Sequence, residues 1–252
     1  MNYLHDLLRD ILYSIVVEEN IDLDIDVVCS YKTGYDLGLD DKEYALIRGP
    51  EILLSCNVSG YTGQAFTVAP RGYRGRLSDV FSLDLSIIYN RGIFYAVLNA
   101  LLRMTGYIDR SVHCCGSEPR LCGKLLTRYL VDRYGSSVRV LHIGYHPGHV
   151  YELYSVFRDN LLITDLRSDV VWGFRGGRLV YDGIDNGVYV GEADIVLATG
   201  SSIINNTFWD IVSKSFLHGK KVIVYGVTGY GAVKLLRRYV GIDIDVFCPL
   251  AK

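Results

Sequence analysis

Four runs in the second half of the chain, VRVLHI (138–143), NLLIT (160–164), ADIVLA (193–198) and KKVIVY (220–225), are apolar almost without interruption. Strands buried on both faces read that way, whereas a strand with one wet face alternates apolar and polar residues. Helical patterns at 121–134, 148–157, 206–216 and 230–239 alternate with the runs, and a last short strand is expected at 244–247. Such alternation predicts an α/β unit of Rossmann-like type, a parallel sheet covered by helices. Right-handed crossovers then bring every strand-to-helix loop to one edge of the sheet. Ligands of open parallel sheets bind at that edge, beyond the carboxyl ends of the strands.

The loops at that edge are therefore the candidate site. The first strand runs into Gly144-Tyr145-His146-Pro147-Gly148, where a glycine turns the backbone and Pro147 suits the first turn of a helix. The second ends at Asp165, about 20 residues on, the offset at which dinucleotide sites place a ribose-binding carboxylate. A carboxylate there serves equally well as a cap for the next turn. The third ends in Thr199-Gly200-Ser201-Ser202-Ile203-Ile204-Asn205-Asn206-Thr207, the densest polar loop of this half. It offers more donors than a helix cap at Asn205 or Asn206 needs. Gly226 follows the fourth strand.

The first half is less regular. A helix is expected over 1–15, strands over 25–30, 44–47, 52–56 and 60–70, and helical spacing over 83–89 and 93–104. The stretch 60–70 is rich in Gly and Thr and reads as a strand that another element approaches closely. Arg71, Arg74 and Arg76 read as a solvated turn. A short cysteine-rich segment, 111–116, marks the expected boundary between parts 1–110 and 111–252.

With half its residues apolar, the chain can bury a substantial core. A net charge of −2 with no basic block argues against nucleic-acid binding. The first 15 residues lack the apolar core of a signal peptide, and no run approaches the ~18 apolar residues of a membrane span. A cytoplasmic location is expected, and with it six reduced cysteines, Cys29, Cys56 and Cys248 as small core residues. Arginine outnumbers lysine and Gln64 is the single glutamine, a thermophile-like composition in which intracellular disulfides do occur.

VLHIGYHPGH, LLITDL, ADIVLATGSSIINNTFWDIV and KVIVYGVTG resemble a family named for a heavy-metal chelation domain, itself of unknown function. FYAVLNALLR and GQAFTVAP resemble the N-terminal partner domain of the same family. The resemblance implies an enolase-N-terminal-like α+β domain over 1–110, a Rossmann-like domain over 111–252, and a ligand-binding cleft between them. Carried over by position, it points to Asn99, Gly144, Pro147, Asp165, Thr199, Gly200, Ser201, Asn205, Thr207 and Gly226, with Tyr145 and His146 inside the same motif. The family name implies a soft divalent metal, and such ions want thiolates and imidazoles close together. His113, Cys114 and Cys115, or alternatively the turn carrying His146 and His149, are the candidate ligands, although the cysteine spacing is not the paired C-x-x-C of a structural zinc site.

Three readings follow. One is a protein that binds a metal ion or small ligand in the inter-domain cleft. A second is an enzyme or binder of a nucleotide-like small molecule: a nucleoside, S-adenosylmethionine or a phosphate-bearing metabolite. The third is a scaffold whose 20 tyrosines supply a homo-oligomer interface. No nucleophile–base pair emerges from the spacing.

Overall fold

The computed structural model describes residues 3–69 and 71–252. Met1 and Pro70, which bound the expected first helix and the expected strand over 60–70, lie outside the described residues. The first part opens with helix α1 (Tyr3–Glu18), which buries Leu4, Leu8, Leu12, Ile15 and Val16 along one face. Strand β1 (Asp26–Lys32), a helical turn α2 (Ala45–Arg48), and strands β2 (Ile52–Val58), β3 (Tyr61–Thr67) and β4 (Tyr73–Arg76) follow. Helices α3 (Leu77–Phe81) and α4 (Ile88–Met104) complete it. The four strands form an antiparallel sheet in the order β3-β2-β1-β4. Helix α4, buried nearly all round, lies across β2 and β3. At Gly63 a side chain would run into the backbone of Ala96 and Ala100, so the close approach expected for this strand is real and only glycine permits it.

Several expectations for this half are corrected. Residues 44–47 are not a strand: the Tyr44 carbonyl accepts N–H groups of Ile47 and Arg48, and Gly49-Pro50 ends the turn. Both edges of β1 are already taken by β2 and β4, so the segment has no place beside it. Most of 83–89 is turn, with Asp84 holding the Ser86 N–H at 2.9 Å in place of a helix bond. Arg74 and Arg76 belong to β4, and Arg76 pairs with Asp26 at 2.9 Å. Cys29 and Cys56 face each other in the β1–β2 register with Cα atoms 4.0 Å apart, and form a disulfide where thiols were expected.

The second part contains α5 (Glu118–Tyr134), β5 (Val140–Ile143), α6 (Pro147–Phe157), β6 (Leu161–Asp165), the hairpin β7 (Phe174–Arg175) and β8 (Arg178–Asp182), α7 (Asn186–Glu192) and β9 (Ile195–Thr199). Next come α8 (Ser201–Ile204), α9 (Phe208–Leu217), β10 (Lys221–Tyr225), α10 (Tyr230–Leu235) and β11 (Asp245–Phe247). The helix expected over 206–216 is α9, starting two residues later; the short α8 before it was not expected, and Asn206 between the two has φ +60°. The sheet order is β11-β10-β9-β5-β6-β8-β7, parallel except for the edge strand β7. Numbered along the chain, the six parallel strands run 3-2-1-4-5-6 across the sheet, the doubly wound order, with its switch point between β5 and β9. No helix among the described residues is long and apolar enough to cross a membrane.

The two sheets share a core. One hydrophobic cluster joins α1 and α4 to Ile203, Phe208, Val224 and Val233 of the second part. Fully buried Asn99 on α4 donates to the carbonyls of Gln64 and Val227 and accepts the Gly231 N–H. Arg91, also buried, donates to the Ile204 carbonyl at 2.6 Å. The Thr228 hydroxyl accepts the Phe66 N–H, and Lys252 pairs with Ser111 and Val112 through backbone bonds.

Candidate functional site

The carboxyl ends of β5, β6, β9 and β10 open into a cleft of about 470 Å³, inside the ~300–1,000 Å³ range of small-molecule sites. The opposite wall comes from the first part: Tyr44, Leu46, Pro50, Glu51 and Phe66. The cleft therefore lies between the two sheets and over the switch point.

Gly144, at the end of β5, has φ +92°, and a side chain there would stand 2.9 Å from the Tyr225 hydroxyl. That hydroxyl donates to the Gly144 carbonyl at 2.7 Å, tying β10 to the loop. Asp165 closes β6. One of its oxygens accepts the Tyr145 N–H at 2.6 Å and the other the Arg167 N–H at 2.7 Å. Of the two sequence readings of Asp165, the cap is seen directly, since the carboxylate organises two loops; it also faces the cleft. Burial raises its pKa against the pull of those donors. On the β9 side the Thr199 hydroxyl accepts the Ser201 N–H, and the Ser202 hydroxyl donates to the Thr199 carbonyl. The side chains of Ser201 and Asn205 line the cleft with no hydrogen-bond partner among the described residues.

Four histidines gather at one end. His146 caps α6, its Nδ1 accepting the His149 N–H at 3.2 Å. Nδ1 of His149 lies 3.3 Å from Nε2 of His142, and the rings of His146 and His149 are 4.0 Å apart. His113 packs edge-on to Phe66, with Nδ1 donating to the Cys114 carbonyl. Burial, then mutual repulsion, lowers the pKa of His146 to about 3 and takes His149 well below its usual value. Burial alone takes His142 to about 3 and lowers that of His113. These rings are neutral at physiological pH and present lone pairs and N–H groups, not charge.

Of the residues expected from sequence, Gly144, Tyr145, His146, Pro147, Asp165, Thr199, Gly200, Ser201, Asn205, Thr207 and Gly226 all line this cleft. Asn99 does not: its amide is taken up entirely by backbone groups that hold the two parts together. His113 and Cys114 reach the cleft but Cys115 does not, its Sγ lying 3.6 Å from the Lys252 ammonium. Burial pushes the Cys114 thiol up, away from the thiolate a soft metal requires. Among the described residues no three His, Cys, Asp or Glu side chains converge to hold a metal ion, so His113, Cys114 and Cys115 do not fit one as arranged.

Glu51, Tyr44, Arg167 and Tyr225 complete the walls and were missed from the sequence. Tyr225 ends a parallel strand, so the strand-end rule already pointed to it. Arg167 stands two residues beyond Asp165. Glu51 and Tyr44 come from the other part of the chain, where no local pattern marks them. Burial and the nearby Asp165 carboxylate push the Glu51 carboxyl up to about 7.

No protein-family model matches the chain, and no curated protein matches it. Solved structures do, among them two of DUF364-family proteins of unknown function. The one from Pyrococcus horikoshii is 16% identical, with a TM-score of 0.55 over 88% of this chain and 80% of its own. The one from Desulfitobacterium hafniense is 13% identical, with a TM-score of 0.44 over 86% of this chain and 76% of its own. At 16% identity the first likeness shows the fold, a two-part α/β arrangement with a large, mostly parallel sheet.

Proposed function

We propose that the cleft binds a small organic metabolite of nucleoside or S-adenosylmethionine type, held between the loops of the parallel sheet and the wall of the first part. One observation carries this reading: loops from four separate strand ends converge with Asp165 on a single cleft at the switch point. In this reading Asp165 accepts ligand hydroxyls, and Ser201 and Asn205 add polar side chains with no hydrogen-bond partner among the described residues. The cleft's electrostatics select within the class. Its imidazoles are neutral, and Arg167 is bound to Asp169 by two contacts of 3.2 Å. Glu51, Asp165 and Asp169 outnumber Arg167 in the wall, although the Arg167 Nη1 has no hydrogen-bond partner among the described residues, so a phosphate group would meet more acidic side chains than basic ones. The metal reading has less support, because its donors do not converge.

Native mass spectrometry of the purified chain, followed by calorimetry with adenosine, S-adenosylmethionine and adenosine monophosphate, tests the proposal. Adenosine or S-adenosylmethionine is expected to bind, the monophosphate more weakly. Ser201→Trp, which fills the cleft, is expected to weaken binding more than tenfold while leaving thermal stability intact. The proposal is lost if no organic mass co-purifies and none of the three compounds binds.

A further inference from the structure

One wall group of the cleft has no task in the fold. Glu51 stands between Pro50 and Ile52, the first residue of β2, and faces the cleft without a hydrogen bond or ion pair among the described residues. Charged and titratable groups meet it from every side. Asp165 comes from the end of β6, already held by two backbone N–H groups. Arg167 and Asp169 come from the following loop, joined to each other by a two-pronged contact. The Tyr225 hydroxyl comes from β10, committed to the Gly144 carbonyl. Arg167 is the one positive group among them: its charge eases that of Glu51, but it forms no ion pair with it, two of its nitrogens being held by Asp169 and Nη1 having no hydrogen-bond partner among the described residues. A second, independent observation also points to a missing ligand. His149 is only 3% exposed, yet it lines the same cleft with an Nε2 that has no partner among the described residues.

We propose that Glu51 anchors a cationic nitrogen, so that the cleft's ligand is an organic cation bearing an ammonium or amidinium group. This rests on the reading of the cleft as a small-molecule site and narrows it. A carboxylate recessed in a cleft wall without a hydrogen-bonded partner is unfavourable, and an incoming cation removes that penalty. The ionised form of Glu51 is the one that binds. With its pKa pushed up to about 7 by burial and then by Asp165, the carboxyl is partly protonated at neutrality, so binding below that pH must displace a proton.

Benzamidine, benzamide and benzoate share a shape and differ in charge. Calorimetry of the full chain with each, at pH 6 and pH 8, tests the proposal. Benzamidine is expected to bind best of the three, and about tenfold more weakly at pH 6 than at pH 8, as proton linkage to a group near 7 requires. E51Q removes a charge and no hydrogen bond, so it is expected to fold. In it the preference for benzamidine over benzamide and the pH dependence should both disappear. The proposal is overturned if benzamide or benzoate binds wild type as tightly as benzamidine, if the preference survives in E51Q, or if millimolar calcium chloride competes benzamidine away. The wild-type comparison decides even if E51Q fails to fold. Binding of adenosine without any preference for benzamidine would overturn this inference alone; failure of every compound would overturn the cleft reading with it.

Discussion

Asp165 shows how one side chain can belong to both fold and site. Its two oxygens hold the N–H groups of Tyr145 and Arg167, so the loops after β5 and β6 are fastened to each other through a carboxylate. An asparagine has one acceptor oxygen and would set its amide donors against one of those N–H groups. Asp165→Asn is therefore expected to cost about 1–3 kcal/mol in urea denaturation, before any ligand is considered. Unchanged stability would mean that the carboxylate does not hold the loops. The position of Asp165 could be read from sequence because it ends an apolar run. Its loop-fastening role was one of two open readings, and only the distances show it. Glu51 had no such marker, because its importance comes from residues more than 100 positions away.

Elements were legible in proportion to how completely they are buried. Strands β5, β6, β9 and β10 announced themselves because both faces are covered. The hairpin β7–β8 went unseen: it lies at the sheet edge, is short, and carries Arg175, Arg178 and Asp182. Residues 44–47 are apolar enough for a strand, but strand identity needs an edge to pair with, which composition does not reveal. The turn that forms there has its own consequence. Arg48 reaches across to Asp169 at 3.1 Å, and Arg175 reaches back to Glu43 at 3.3 Å, linking α2 to the β6–β7 loop beside the cleft. These pairs are partly exposed, so each is worth no more than about 1 kcal/mol. Arg48→Ala should leave global stability nearly unchanged and yet speed amide hydrogen exchange across 166–175. Equal exchange in both proteins would show that the pairs do not hold the loop.

Across the whole molecule, five imidazoles have pKa values lowered by burial: His5, taken to about 4, with His142 and His149, all buried, and the half-buried His113 and His146. Each binds a proton more readily when unfolded. Stability is therefore complete above about pH 6.5, the unfolded value, and falls as pH drops toward the folded values. His5, His142 and His146, with folded values near 4, 3 and 3, each contribute roughly 1.4 kcal/mol per pH unit within that window. Glu51 and Asp165 act in the opposite direction, since their raised values favour the folded state at low pH, but two carboxyls do not offset five rings. Denaturation at pH 7.5 and pH 5.5 should differ by several kcal/mol in favour of the higher pH. A flat profile would contradict the burial of these rings.

The shared core also bears on time. Because α1 and α4 pack into the same hydrophobic cluster as the helices of the second sheet, the two walls of the cleft cannot swing apart as independent bodies. Widening is left to the segments beside Arg48 and Asp169, and loops of that size move in nanoseconds to microseconds, well ahead of domain hinges. A ligand's residence in the cleft is then set by the contacts it makes and not by how often the protein opens.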